Sequence, residues 1–254
     1  KGTYNLTGVV EILKSNVVLE GEGSATLLRA ANASNLGDIV RVGNGGTTSY
    51  QNVIIRKFMI DGNQANQTSG ASSPLVLWGA SSYKHSRITV ENMWLTGAKQ
   101  DCLKVIAIED SVIRNNFIYS NTGTAIGLFT TSQYITITGN VLTSNSYGVY
   151  DSACNYCTMT GNVLRSNGYG FYVSNGWREI ISGNTIFTST NYGVYLIGAQ
   201  RVTVTGNNFY GDSWSIVIGN SSNITRYNVI TGNVIAWPTS QGIALYHGSG
   251  TTVS

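Results

Sequence analysis

Residues 135–150 read ITITGNVLTSNSYGVY, residues 157–172 read CTMTGNVLRSNGYGFY and residues 179–195 read EIISGNTIFTSTNYGVY. These are three copies of one pattern, and Asn140, Asn162 and Asn184 recur in it every 22 residues. A repeat of that size decides the fold, because a unit too short to bury its own apolar face must stack on its neighbours. Each copy holds two short strand patterns, β-branched residues alternating with polar ones before Gly-Asn, then G-V-Y or G-F-Y after a turn. None holds a helix-length apolar face. The pattern predicts one coil of a parallel β-helix, with coils stacked about 4.8 Å apart.

The repeat extends in both directions. VTVTGNNFYGDSWSIVI (202–218) and NVITGNVIAWPTSQGIAL (228–245) follow, placing Asn207 and Asn233 in the Asn column. SVIRNNFIYSNTGTAIGL (111–128) precedes, with Asn116 in that column, and ITVENMWLTGAKQDCLKV (88–105) and VIIRKFMIDG (53–62) are earlier, looser coils. These repeats, with the lead-in KGTYNLTG and SNVVLEGEGSATLL, resemble the pectin-lyase-like superfamily of right-handed parallel β-helices over nearly the whole chain. The expected fold is all-β, a single right-handed parallel β-helix of about nine or ten coils. Residues 1–254 are expected to be one domain, a mature or excised piece of a longer chain. Caps or partner subunits would then cover its end strands. The superfamily includes lyases, hydrolases, epimerases, tailspikes and adhesins, so the resemblance implies a fold and leaves the reaction open.

The chain is 42% hydrophobic but only 11% charged, with Asn, Ser, Thr, Gly and Tyr in place of charges. Such a surface suits hydrogen bonding and stacking on neutral or polar polymers outside the cell. The net charge of +3 comes without a basic run, which argues against nucleic acid. No apolar run approaches membrane-spanning length. Cys102, Cys154 and Cys157 make no disulfide framework. Cys102 stands where other coils have Gly or Ala, and Cys157 where they have Ile135 and Val202, which are core positions. For the Cys154/Cys157 C-x-x-C the readings are core packing or a local disulfide. No metal ligand set and no cofactor motif is apparent.

One strand position aligns through the coils: DIVRV (38–42), SPLVL (73–77), DCLKV (101–105), TAIGL (124–128), YGVYD (147–151), YGFYV (169–173), YGVYL (192–196), WSIVI (214–218) and QGIAL (241–245). The third and fifth residues are apolar and should face inward. Asp151 is the exception, either turned outward or capping the turn before Cys154. The fourth residues then form an outward column, Arg41, Val76, Lys104, Gly127, Tyr150, Tyr172, Tyr195, Val217 and Ala244. The first residues form a second, Asp38, Ser73, Asp101, Thr124, Tyr147, Tyr169, Tyr192, Trp214 and Gln241. One face thus carries charges in its early coils and paired aromatic columns in its later ones.

Tyr147, Tyr150, Tyr169, Tyr172, Tyr192, Tyr195 and Trp214 are the candidate substrate-binding residues, since flat aromatic columns stack on sugar rings. The same columns could simply shield the strands. The candidate catalytic residues are Asp38, Arg41, Asp101 and Lys104, beside a notch at Gly127. Two reactions fit. In β-elimination, Lys104 or Tyr150 would take a proton and Arg41 would neutralise a uronate. In glycoside hydrolysis, Asp38 and Asp101 would share the work from two coils apart, about 9.6 Å, at the outer limit of an inverting pair of about 6.5–9.5 Å. His85, in the turn SSYKHS, is expected to be exposed. Asp61 in IDGN is expected to form a turn. The loops 43–52 and 63–73 would wall a groove.

The lead-in and IDGN also look like mannuronan C5-epimerases and tailspike-type enzymes. That likeness implies a carbohydrate polymer. The epimerase motif is missing, however, because QDCLKVI at 100–106 has neither His nor Pro. The leading expectation is an extracellular or cell- or virion-surface β-helix that recognises polysaccharide, as a polysaccharide lyase or glycoside hydrolase if it is an enzyme. The alternative is a structural or adhesive β-helix, such as a tailspike shaft or surface-filament subunit, assembling as a homo-oligomeric trimer or filament.

Overall fold

A computed structural model describes residues 1–68, 73–220 and 223–254. Residues 69–72 of the second loop lie outside the described residues. The chain winds a parallel β-solenoid of about 11 turns, close to the number expected from the repeats. Each turn has three arms. The first holds short strands such as Met59–Asp61, Trp94–Thr96 and Val163–Arg165; the second holds Asp38–Val42, Ser73–Trp78, Leu103–Ile106 and Tyr169–Ser174. The third is a ten-stranded ladder from Val17–Glu20 to Thr252–Val253. In two turns a single strand, Phe117–Phe129 or Val141–Ser152, runs through the corner between the first two arms and joins them into one sheet.

The second arm carries the aligned segments, and its register matches the sequence alignment rung for rung. Arg41 pairs with Val76, Val76 with Lys104, Lys104 with Gly127, Gly127 with Tyr150, Tyr150 with Tyr172 and Tyr172 with Tyr195. The inward residues, among them Val40, Leu75, Leu103, Ile126, Val149, Phe171, Val194 and Ile216, are fully buried in one continuous core. Cys102 belongs to it. In the last aligned strand Ile243 is 37% and Leu245 50% exposed, so the inward rule fades there.

The corner between the third and first arms is held by a ladder of buried Asn side chains. Asn140 Oδ1 accepts from the backbone N–H of Asn116 and from its side-chain amide; Asn162 does the same for Asn140, and the series continues through Asn184 and Asn207 to Asn233. Each amide also reaches a strand carbonyl, as Asn140 Nδ2 does to Ile113 O at 2.9 Å. The preceding residue must be left-handed for this geometry. Gly139, Gly161 and Gly183 have φ of +65°, +64° and +62°, where a Cβ would be strained. That is the physical content of the repeated Gly-Asn. A second ladder, Asn121, Asn145 and Asn167, holds the corner between the first and second arms.

Four expectations change or resolve on the structure. Asp151 does not turn outward. It is fully buried in the inward column, paired with Leu128 and Val173, and its Oδ1 accepts the Cys154 N–H at 2.7 Å. Capping a buried turn lets a carboxylate occupy a core position. Cys154 and Cys157 are joined in a disulfide. His85 is 1% exposed, because it opens the strand His85–Glu91 and Gly43 leaves room for its ring. Its Nδ1 accepts from the Tyr50 N–H at 3.2 Å, and burial lowers its pKa. Asp61 is a turn former, its Oδ1 accepting from the Asn63 N–H at 2.7 Å.

Candidate functional site

The outward columns of the second arm meet a surface pocket of about 270 Å³ lined by Gly37, Asp38, Ser73, Val76, Trp78, Gln100, Lys104 and Ile106. Asp38, Ser73 and Asp101 occupy successive rungs, so the two carboxylates stand two turns apart as the alignment required. Loop 43–52 borders the pocket: the Gly45 N–H donates to Trp78 O at 3.0 Å, and a Cβ on Gly45 would meet the Trp78 ring at 2.6 Å. In the described part of loop 63–73, Gln67 O accepts from Lys99 Nζ at 2.6 Å. Of its described residues, only Ser73, at its end, lines the pocket.

The charges in and beside the pocket are arranged unequally. Arg41 donates to Asp38 Oδ2 at 3.0 Å and pairs with Glu11 on its other side, while its guanidinium lies 5.4 Å from the Trp78 ring centre. Two protein carboxylates already neutralise it. Lys104 sits 3.8 Å from Asp101 Oδ2 and 5.5 Å from the Phe129 ring centre. Burial pushes the Asp101 carboxyl above its ordinary pKa, against a hydrogen bond from Thr124 and the Lys104 charge. The notch expected at Gly127 is filled. A Cβ there would meet Phe129 Cε2 at 2.5 Å, so the absence of a side chain makes room for the Phe129 ring rather than for a ligand.

Beyond Phe129 the aromatic columns begin. Phe129 and Tyr150 are 5.8 Å apart between ring centres; Tyr150 stacks on Tyr172 at 5.2 Å and Tyr147 on Tyr169 at 4.7 Å. The two columns meet edge to face, as Tyr169 does with Tyr172 at 5.4 Å, and the series runs on through Tyr192 and Trp214, 6.2 Å apart, to Tyr246, 6.4 Å from Trp214. The Tyr and Trp side chains are half-buried. Burial, reinforced by neighbouring phenols, pushes Tyr172 up to about 12, and burial likewise raises Tyr147, Tyr169 and Tyr192. These phenols stay protonated at neutral pH and act as donors and flat apolar surfaces, not as bases.

Sequence reasoning missed Glu11, Trp78 and Phe129. The strand pair Val10–Ile12 and Asp38–Val42 sets Glu11 opposite Arg41, and extending the column alignment to V-E-I would have found it. It also missed a second aromatic strip on the corner between the second and third arms. There Tyr134 stacks on Tyr156 at 5.0 Å, and Arg178 lies 4.3 Å from the Trp177 ring centre.

The family described as Periplasmic copper-binding protein (NosD) matches residues 80–253. The chain belongs to the NosD family. The NosD match covers all but the earliest turns, and the pocket straddles its edge, with Asp38 and Arg41 before it and Asp101 and Lys104 within it. No curated protein matches the chain significantly. Among solved structures it is similar to the DFA-IIIase of Arthrobacter chlorophenolicus A6 in complex with GF2, with 16% identity and a TM-score of 0.75 over 98% of this chain and 71% of that one. It is similar to the Streptococcus pneumoniae surface protein and adhesin PfbA, with 14% identity and a TM-score of 0.71 over 100% and 86%. It is also similar to the A-module of the Azotobacter vinelandii mannuronan C-5 epimerase AlgE6, with 18% identity and a TM-score of 0.60 over 95% and 84%. At these identities the likeness establishes the parallel β-helix. Among the described residues no helix is long and apolar enough to cross a membrane.

Proposed function

We propose that this NosD-family β-helix recognises a polysaccharide outside the cytoplasm, laying the chain along the second arm from the Trp78 pocket to Trp214. The observation that carries this reading is the continuity of the surface. A charged pocket runs through Lys104 and Phe129 into two columns of half-buried phenols, eight rungs spanning about 34 Å in all. Stacked Tyr rings give a large contact area at small entropic loss, which suits a repeating polymer. The AlgE6 and DFA-IIIase neighbours fit this reading as carbohydrate-related β-helices. PfbA fits the adhesive alternative.

For catalysis, hydrolysis is better supported than β-elimination. Arg41 is held by Asp38 and Glu11 and is not free to neutralise a uronate. Burial raises the pKa of Asp101, the direction a general acid needs, and Asp38, two rungs away and paired with Arg41, stands where the base acting through water would be. Screening the purified chain against a polysaccharide panel, by affinity electrophoresis with reducing-end and unsaturated-uronate assays, tests both points. Tyr172→Ala should weaken binding about five- to tenfold, and Asp101→Asn should lower any turnover at least about 100-fold. Binding untouched by Tyr172→Ala would move the ligand off this face. No binding at all would leave the structural or homo-oligomeric reading in possession.

The NosD description also names copper. His85 is buried against Tyr50 and His247 is exposed on the last turns, and neither joins a converging ligand set among the described residues. The donors that do converge are Cys154, Cys157 and Glu179, and they fit copper(I) only as a dithiol. No step of the carbohydrate reading passes through a metal.

A further inference from the structure

The corner after Val141–Ser152 holds a group of side chains that the carbohydrate face does not use. Cys154 and Cys157 are fully buried beneath the surface turn Ala153–Tyr156. Glu179 stands one turn on, in the rung that follows Cys157, and is also fully buried. Glu179 and Asp151 face each other as a hydrogen-bonded carboxyl pair, and no other described group donates to either Glu179 oxygen or to Asp151 Oδ2. Two fully buried carboxyls that face only each other must share a proton, and no cationic side chain among the described residues offsets them, so the pair asks for an occupant. Gly176, one rung after Cys154, makes the space: a Cβ there would meet Glu179 Oε1 at 2.6 Å. The two sulfurs and a Glu179 oxygen lie within 4.8 Å of one another.

We propose that Cys154, Cys157 and Glu179, with Asp151 beside them, form a redox-gated site for a d10 cation, copper(I) or zinc(II). With the disulfide formed, the sulfurs are neutral and the corner holds no ion. A small dithiol opens it by exchange: the S–S bond breaks, the protein gains two thiols, and the reductant closes to its own cyclic disulfide. A d10 ion then displaces both thiol protons and the Glu179 proton to solvent and binds two thiolates and a carboxylate. Metal–sulfur bonds of about 2.3 Å and metal–oxygen bonds of about 2.0–2.2 Å place tetrahedral ligand atoms roughly 3.5–3.8 Å apart. Releasing the S–S bond opens the sulfurs to that separation, and the Glu179 oxygen is already within reach. Two thiolates suit either ion; a fourth ligand from Asp151 favours zinc.

The site stands on this chain's own donors and does not depend on polysaccharide binding. The test uses the whole chain, oxidised or reduced with a dithiol and desalted anaerobically, titrated with zinc(II) and with copper(I) against chromophoric chelators. The reduced chain should bind one ion and melt higher with it; the oxidised chain should bind none. Changing both cysteines to Ser should abolish binding, and Glu179→Gln on native cysteines should weaken it about 10- to 100-fold. Binding of zinc alone, copper alone or both supports the site and names its ion. Equal binding by the oxidised chain, no binding by the reduced chain, or full affinity in Glu179→Gln overturns it. Glu179→Gln keeps the test decisive if the double Ser variant fails to fold.

Discussion

Asp212 shows how one side chain can set a pH dependence for the whole fold. It continues the corner column of Asn121, Asn145, Asn167 and Ser189, and its Oδ1 accepts the Ser189 N–H at 2.7 Å as an Asn would. Its Oδ2 is buried with no partner. Burial raises its pKa to about 6, opposed only by hydrogen bonds involving Ser189 and Tyr210. An acid whose folded pKa lies above its unfolded value opposes folding once both states are ionised. The penalty is therefore absent below about pH 4, grows through pH 4–6 and is full at pH 7. Asp212→Asn keeps the acceptor and supplies donors in the pattern of Asn167 Nδ2, which reaches Leu142 O at 2.9 Å. It should raise the melting temperature at pH 7.5, with the gain shrinking through pH 6 and gone near pH 4. Thermal melts of both proteins at pH 4, 6 and 7.5 measure this, and equal melting temperatures at pH 7.5 would refute it.

At the scale of an element, the Asn ladders hold the turns in register. Asn162→Ala strands the backbone N–H of Asn140 and takes the Asn162 amide from Ile137 O, while the Asn140 side-chain amide keeps its bonds to Ile113 O and Thr138 O. Each stranded buried group costs about 1–3 kcal/mol, so a loss of roughly 2 kcal/mol or more is expected in denaturant unfolding. Asn233→Ala, at the half-buried end of the ladder, should lose clearly less; similar losses would mean the ladder is not what holds these corners. This ladder was legible because its Gly-Asn recurs with the strand pattern. The second was equally present, as S-N in 144–145 and 166–167, but Ser189 and Asp212 break its identity. A column is recognised by repetition, and the break is also where Asp212 acquires its shifted pKa. The second-arm alignment was legible because side chains alternate with period two. It placed Asp38 and Asp101 on the right rungs, but it could not show that Phe129, two residues along its own strand, folds back over Gly127. Nor could it show that Glu179, which reads as a polar strand start in E-I-I-S, points into the core. Both depend on a contact between neighbouring turns, which a single repeat does not record.

A solenoid is close to a one-dimensional object: each turn is stabilised by its two neighbours, and an end turn has only one. The middle turns bury their apolar side chains completely, as Leu142, Phe171, Val194 and Phe209 show. The last turns do not. Val234 is 62% exposed, Trp237 72%, Leu245 50% and Val253 41%, and near the other end Val18 is 53% and Tyr4 50% exposed. Turns that bury so little should open locally without unfolding the rest. In hydrogen exchange of the isolated chain, amides of 229–254 and 2–20 should therefore exchange at least about tenfold faster than those of 103–218. The same measurement bears on assembly. If copies of the chain stack end to end, raising the protein concentration will slow exchange at the end turns and leave the middle unchanged. If they associate through the second arm, the slowing will appear instead at the strands carrying Tyr150, Tyr172 and Tyr195, and that face would then be an interface rather than a free platform for a polymer. Concentration-independent exchange with fast ends is the result expected of a monomer whose aromatic face stays open to its ligand.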